Sequence, residues 1–206
     1  VCTPYVFAQS AHDHFYVFDQ RSGALLKILT KIADARQGAE RVTSLQVSAD
    51  GRTGLIQTDS NQPTFEVWDL ENETIIRNVN YGDQDLFGTG SKKQLTKFGL
   101  SPDGQWVVGG KVGVFAWQVS NGKLVRFKNG SATAARSNVN SITFVKDSNQ
   151  FLVSWRKRID RFDLMNPQET KTFVAECVSD DQNRQNVFDA QQTDSGIRFL
   201  ANNKDL

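Results

Sequence analysis

The 206-residue chain is long enough for one sizeable domain, and its 24 basic and 23 acidic residues leave a net charge of +1. This balance excludes a global field that would draw in nucleic acid or an anionic membrane, so any partner has to be selected locally. The longest apolar stretches are far shorter than the roughly 20 residues that a membrane-spanning helix requires.

The first predicted elements form a partial unit over residues 5–29. Tyr5-Val6-Phe7-Ala8 predicts one strand, and Val17-Phe18-Asp19 predicts the end of another. A polar turn, Arg21-Ser22-Gly23, then precedes the apolar pair Leu25-Leu26. Because Ser and Gly favour chain reversals, these strands are expected to run antiparallel.

A complete unit is clearest over residues 95–127. Its opening apolar run ends at Ser101-Pro102-Asp103-Gly104, where Pro presets a turn and Gly permits positive φ. Strands are then predicted at 105–109, 112–119 and 124–127. Ser120-Asn121-Gly122-Lys123 separates the last two strands and predicts a two-residue hairpin turn of the Asn-Gly kind. The unit is therefore predicted to be a four-stranded antiparallel meander.

The same signals recur along the chain. The opening run returns from Val42, Leu95, Val139 and, more faintly, Val187. The third strand ends in a matching way at Val17-Phe18-Asp19, Val67-Trp68-Asp69, Ala116-Trp117-Gln118 and Arg161-Phe162-Asp163. Two signals in phase indicate one supersecondary unit copied in tandem. We therefore predict an all-β chain with complete units at 42–77, 95–127 and 139–173 and partial units at 5–29 and 187–202.

Four strands bury too little apolar surface alone, so units of this size are expected to stack radially as the blades of a β-propeller. Each fourth strand opens with an apolar pair and a cation: Leu25-Leu26-Lys27, Ile75-Ile76-Arg77 and Leu124-Val125-Arg126. The apolar pair is expected to face a neighbouring unit, and the cation is expected to mark a solvated edge.

Ser-Pro-Asp-Gly after the first strand, combined with Trp-Asp or Phe-Asp at the end of the third, resembles the WD-repeat family and its looser bacterial propeller relatives over nearly the whole chain. No Gly-His dipeptide precedes a first strand, and the only histidines, His12 and His14, fall in an early turn. The buried His–Asp network of the strict family is therefore not expected, and the chain is most similar to divergent WD-like propellers.

The number of blades is open between two accounts. The partial units could complete a fourth blade from both termini, or residues 1–206 could be an excerpt of a larger ring, typically of seven blades in the family that the chain resembles. We expect the excerpt, because Leu206 falls where a third strand should begin. Either way the chain is expected to be a single propeller domain or part of one.

Residues suited to catalysis or metal binding are sparse. His12-Asp13-His14 supplies two metal ligands at most, and the sequence contains no further His. Neither a Gly-x-Ser-x-Gly elbow nor a phosphate loop occurs. Asp50, Asp103, Asp147 and Asp194 occupy equivalent turns, where they are expected to accept hydrogen bonds from backbone amides. We predict no enzyme activity, no metal and no cofactor. Cys2 and Cys177 are either reduced thiols or a disulfide.

Partner binding is predicted at two places on the loop face. Tyr81, Leu86 and Phe87 lie in a long polar connection, where they are either interface anchors or a small core beneath the loop. Arg156, Lys157 and Arg158 follow Trp155 in a turn between strands, where they suit an acidic peptide or a phosphate unless they are only a solvated hairpin tip.

The function predicted from these features is a non-catalytic scaffold for protein–protein interactions, or a subunit of a larger assembly. The alternatives are a propeller-type hydrolase or lactonase and an extracytoplasmic propeller that binds a small ligand. No nucleic-acid partner is expected, and the sequence leaves both the oligomeric state and the choice between cytoplasmic and extracytoplasmic locations open.

Overall fold

A computed structural model describes residues 5–9, 15–30, 32, 42–58, 64–82, 86, 95, 97–111, 113–127, 138–145, 148–155, 158–174, 187–193 and 196–201. This part of the chain contains seventeen strands in five antiparallel sheets. None of its helices is long and apolar enough to cross a membrane.

Each sheet is a meander in which strands that follow one another along the chain are neighbours. The first sheet has three strands, β1 (Tyr5–Gln9), β2 (Phe15–Asp19) and β3 (Leu25–Leu29). The second has four strands, β4 (Val42–Val47), β5 (Thr53–Thr58), β6 (Thr64–Asp69) and β7 (Thr74–Asn80).

The third sheet is formed by β8 (Lys97–Leu100), β9 (Trp106–Gly110), β10 (Val114–Gln118) and β11 (Leu124–Arg126). The fourth is formed by β12 (Ser141–Phe144), β13 (Gln150–Ser154), β14 (Arg158–Asp163) and β15 (Thr170–Val174), and the fifth by β16 (Val187–Thr193) and β17 (Gly196–Ala201). Three complete units between two partial ones confirm the sequence prediction.

The chain divides into two compact units: one comprises Val1–Asp85, Leu100–Trp106 and Gln118–Gly122, and the other comprises Leu86–Gly99, Val107–Trp117 and Lys123–Leu206. In the first unit, the first and second sheets share a core of Phe15, Val17, Leu29, Ile32, Val42, Ile56, Trp68 and Leu70. Alternate residues of the strands supply this core, because successive side chains of a strand point to opposite faces.

The second unit is held by aromatic packing. The rings of Phe127 and Phe151 meet edge to face with their centres 5.2 Å apart, and those of Phe151 and Phe162 stack at 5.4 Å. Close approach also requires glycine here: a Cβ on Gly109 would lie 2.8 Å from Leu95 and 3.1 Å from Trp117. A larger residue at Gly109 would therefore have to displace the side chains of Leu95 and Trp117.

The predicted Asn-Gly turn is wrong in type. The amide of Gly122 donates to the carbonyl of Gln118 at 2.7 Å, and Gly122 has a φ of 73°, whereas Asn121 does not have positive φ. A two-residue turn of the Asn-Gly kind needs positive φ at both central residues, but this loop is longer and needs it only once. The β2–β3 connection closes in the same way, from Gly23 to Asp19.

Candidate functional site

The turn aspartates of two first-strand connections have the predicted role. Asp50 accepts from the amide of Arg52 at 3.0 Å and from the hydroxyl of Ser48 at 2.6 Å. Asp103 accepts from the amide of Gln105 at 3.0 Å and from Ser101 at 2.5 Å. Burial acts to raise the pKa of Asp50, but the bonds from Ser48 and Arg52 outweigh it and hold that pKa below its usual value. Asp147 and Asp194 lie outside the described residues.

The aspartates that end β2 and β6 also cap turns. Asp19 accepts from the amides of Arg21 and Ser22, and Asp69 accepts from those of Glu71 and Asn72. The amide of Ser22 is the main reason that the pKa of Asp19 lies below its usual value, and the amide of Asn72 does the same for the pKa of Asp69. These carboxylates stabilise the repeat, because each holds backbone donors of its own turn.

Two cations, one on β3 and one on β7, link neighbouring sheets. Lys27 on β3 donates to the carbonyls of Leu70 at 3.2 Å and Glu71 at 2.9 Å, and its Nζ lies 3.3 Å from the carboxylate of Glu73. Arg77 on β7 donates to the carbonyls of Val119 at 3.1 Å and Ser120 at 2.6 Å. Each cation therefore donates hydrogen bonds to backbone carbonyls in the turn that follows the third strand of the next sheet. We call this contact the cation clasp.

The apolar pairs beside these cations are exposed. Leu25, Leu26, Ile75 and Ile76 have 50%, 54%, 47% and 43% of their surface accessible. In the third sheet Leu124 and Val125 are half-buried and Arg126 is exposed, but in the first two sheets the expectation that the pair faces a neighbour and the cation marks a solvated edge is reversed. The cause is a β-bulge in each sheet, which inserts Leu26 between the pairs Phe18–Leu25 and Val17–Lys27 and likewise inserts Ile76 in β7.

A cleft of about 360 Å³ lies in the first unit, beside the clasp of Lys27. Apolar side chains make its walls, and charged residues stand beside them; it is lined by Phe7, Val17, Leu26, Leu29, Leu70, Lys27, Asp50, Gly51, Arg52 and Glu71. Its volume is near the lower limit for a small-molecule site.

A polar cluster is buried in the fourth sheet. Asp160 is fully buried, and its Oδ2 lies 2.7 Å from Nη2 of Arg158, although the two groups are not aligned as a hydrogen bond. Its Oδ1 accepts from the hydroxyl of Thr172 at 2.8 Å. The guanidinium of Arg158 also lies 5.4 Å from the ring centre of Trp155, which is buried. A buried ion pair of this kind is weak evidence for stability.

The structure places the predicted partner-binding residues as follows. Tyr81 is buried and stacks on Phe65 with the ring centres 6.3 Å apart, and Leu86 is buried too, as the alternative of a small core requires. Trp155 and Arg158 belong to the buried cluster. Phe87, Arg156 and Lys157 lie outside the described residues, and partner binding at all seven predicted positions stays a prediction.

The cation clasp and the contact between Arg158 and Asp160 were not predicted from the sequence, although a signal for each is present. The cation recurs at one position of successive units, which indicates a structural contact. Arg158 and Asp160 are two apart on a strand, which places them on one face. Among the described residues, no group of three or more His, Cys, Asp or Glu is arranged to hold a metal ion. His12, His14, Cys2 and Cys177 lie outside these residues.

No protein-family model matches the chain, and no curated protein matches it. Among solved structures, the β-propeller domain of Myceliophteria thermophila Cps50 (Swd1) is similar with a TM-score of 0.61 and 15% identity, over 98% of this chain and 59% of that one. Dihydro-heme d1 dehydrogenase NirN in complex with DHE is similar with a TM-score of 0.62 and 15% identity, over 95% of this chain and 39% of that one.

The chain thus spans less than two thirds of the length of either structure, and at 15% identity the likeness concerns the fold alone. The two similar proteins differ in kind, since one is described as a propeller domain and the other as a dehydrogenase. With its four-stranded antiparallel sheets, the chain has the fold of a β-propeller.

Proposed function

We propose that the chain is a non-catalytic propeller that serves as a scaffold for protein–protein interactions or as a subunit of a larger assembly. One observation carries this proposal: the polar residues that recur from unit to unit are used to hold the fold. Asp50 and Asp103 bind turn amides, and Lys27 and Arg77 clasp neighbouring sheets. Recurring side chains thus build a rigid frame, and the connections that differ between units are left for recognition.

The likeness to the Swd1 propeller supports this proposal at the level of fold. The likeness to NirN, described in complex with DHE, supports a second candidate, a propeller that binds a small ligand or catalyses a reaction. The two candidates differ in what the purified chain retains, because a scaffold keeps protein subunits, whereas the second candidate keeps a ligand or a metal.

The test uses the tagged chain as bait in its source cells, with quantitative mass spectrometry of the proteins that co-purify. The variant Phe87→Ala/Arg156→Glu/Lys157→Glu changes the loop-face residues whose partner binding stays a prediction. We expect at least one stoichiometric partner with the natural chain and its loss with this variant. Arg21→Glu is the control, because it reverses one charge in an exposed turn and should leave the partner bound.

One result would contradict the proposal, and another would contradict only the assignment of binding to the loop face. Recovery of no stoichiometric protein, together with a bound metal or organic ligand, would favour the second candidate. Equal recovery of the same partner by all three forms would keep a scaffold but would remove the loop-face assignment.

A further inference from the structure

The cleft of the first unit lies at an exposed apolar edge. Leu26 both lines the cleft and has 54% of its surface exposed. Leu25 and Ile28, on the same strand, are 50% and 41% exposed. β3 is the last strand of its sheet, so these aliphatic side chains stand at a sheet edge. A protruding apolar edge and an apolar hollow therefore lie side by side.

Four charged residues line this cleft, Lys27, Asp50, Arg52 and Glu71, and the last two form an exposed pair. Nε of Arg52 lies 4.0 Å from a carboxylate oxygen of Glu71, and the side chains are 74% and 70% exposed. An ion pair this long and this exposed contributes little to the fold. Arg52 and Glu71 can therefore separate, and each can pair with a new group of opposite charge at little cost in free energy.

This patch is complementary to itself. A two-fold axis brings the same surface of two molecules together, so a patch that pairs with its own copy needs matching features of both kinds. Here an apolar edge stands beside an apolar cleft, and the cation of Arg52 stands beside the anion of Glu71, so the patch carries both members of each pair. A single sign of charge, or a cleft without a protruding edge, would lack this property.

We propose that this surface binds a second copy of the chain. In the dimer, the β3 edge of each copy packs at the cleft of the other, and Arg52 of each copy pairs with Glu71 of the partner subunit. The contact buries Leu25, Leu26 and Ile28, whose exposure is otherwise unfavourable. The inference goes beyond the proposed scaffold function, which involves the loop face and other proteins.

The first test is sedimentation equilibrium of the 206-residue chain from about 1 µM to about 1 mM, a range that covers weak and moderate association. The chain mass is 23.0 kDa, and we expect a shift to twice that mass as concentration rises. Leu26→Asp should weaken dimerisation by about a hundredfold, because it places a charge in the apolar contact. Met165→Asp is the control, since Met165 is 71% exposed and lies far along the chain from this patch.

The second test exploits the symmetry. Arg52→Glu alone and Glu71→Arg alone should each weaken the homodimer by about tenfold, because each puts like charges opposite one another. An equimolar mixture of the two variants should restore association, since every contact then joins opposite charges. Each exposed substitution is checked by circular dichroism, so that a fall in mass is not mistaken for unfolding.

The result that overturns the proposal is equally specific. A chain that keeps the monomer mass over the whole range has no such dimer. A dimer that tolerates Leu26→Asp and both charge reversals forms through another surface. Charge-reversed variants that fail to associate when mixed show that Arg52 and Glu71 do not meet across the interface. These measurements involve no other protein, so their failure is distinct from that of the proposed function.

Discussion

At the scale of single residues, the carboxylates of this chain are used in two ways. Asp19 and Asp69 stand at exposed turns and hold backbone amides, which lowers the pKa of each. Asp160 instead lies buried beside Arg158 and Thr172. Asp160 lies three residues before the end of β14. The residue at the matching position of β6 is Glu66, which accepts a hydrogen bond from the indole of Trp68 at 2.8 Å. The buried cluster is thus particular to one unit, whereas the capped turns are common to several.

The lowered pKa values of the aspartates in these turns predict that the free energy of unfolding depends on pH. Because the folded-state pKa of Asp69 is lowered, its contribution is present above the unfolded pKa of about 3.9 and is lost as pH falls through the folded pKa. We expect Asp69→Asn, which cannot ionise, to reduce the acid dependence of the free energy of unfolding below about pH 4. Urea unfolding at a series of pH values measures this difference.

The control for this experiment is Glu169→Gln, which removes a carboxylate from another exposed turn. An acid dependence in Asp69→Asn that is the same as in the natural chain would show that this cap does not contribute through its charge.

At the level of elements, β3 and β7 each end a sheet and bind the next one. The bulge places an extra aliphatic residue in β3 and in β7, and the cation that follows reaches the turn of the neighbouring sheet. The third sheet differs, because β10 and β11 pair from Trp117–Leu124 to Phe115–Arg126 without a shift of register. The repeated sequence motif therefore does not produce one local geometry in every copy.

We expect removal of a clasp to destabilise the first unit. Lys27→Met and Arg77→Met each keep an unbranched chain but remove the side-chain donor from these turn carbonyls, and each should lower the free energy of unfolding by about 1 kcal/mol. The expected loss is small because the side chain of Lys27 is 38% exposed and water can replace it. Chemical denaturation with tryptophan fluorescence measures the change.

Arg21→Met is the matched control, because Arg21 lies in an exposed turn, and it should alter stability by less than about 0.5 kcal/mol. Equal effects of all three substitutions would mean that the clasps add nothing beyond a surface cation.

At the scale of the whole molecule, contacts are made chiefly between strands close in sequence. The most extensive contacts join neighbouring strands of one sheet, and the fourth sheet also meets β16 of the fifth. Stability in such an array is approximately a sum over repeats and their interfaces. Disturbance of one sheet should therefore be felt locally.

Phe151→Ala tests this locality. Phe151 is fully buried and contacts Phe127 and Phe162, so its truncation should cost about 3–5 kcal/mol. We expect hydrogen exchange, followed by mass spectrometry, to show faster exchange in β12 to β15 with little change in β1 to β7. Met165→Ala, at an exposed site, should change neither region, and a uniform loss of protection in Phe151→Ala would indicate one cooperative unit instead.

The repeat, the strand order within each unit and the role of Asp50 and Asp103 could all be predicted from the amino-acid sequence. These depend on local signals, because turn residues and alternating apolar residues act over a few positions. Ser101-Pro102-Asp103-Gly104 predicts both the reversal and the hydrogen bonds of Asp103, and the structure confirms both. The propeller fold followed because four-stranded units must bury their faces against one another.

The side-chain contacts between sheets could be seen only in the folded chain. The apolar pair of β3 and the cation beside it exchanged their expected environments, because one inserted residue in a bulge changes the face that a side chain occupies. Tyr81 and Leu86 proved buried, and Arg158 proved paired with Asp160, since burial depends on what packs above a residue. Local sequence patterns carry no information on contacts between distant segments, and the cleft beside Arg52 and Glu71 depends on such contacts.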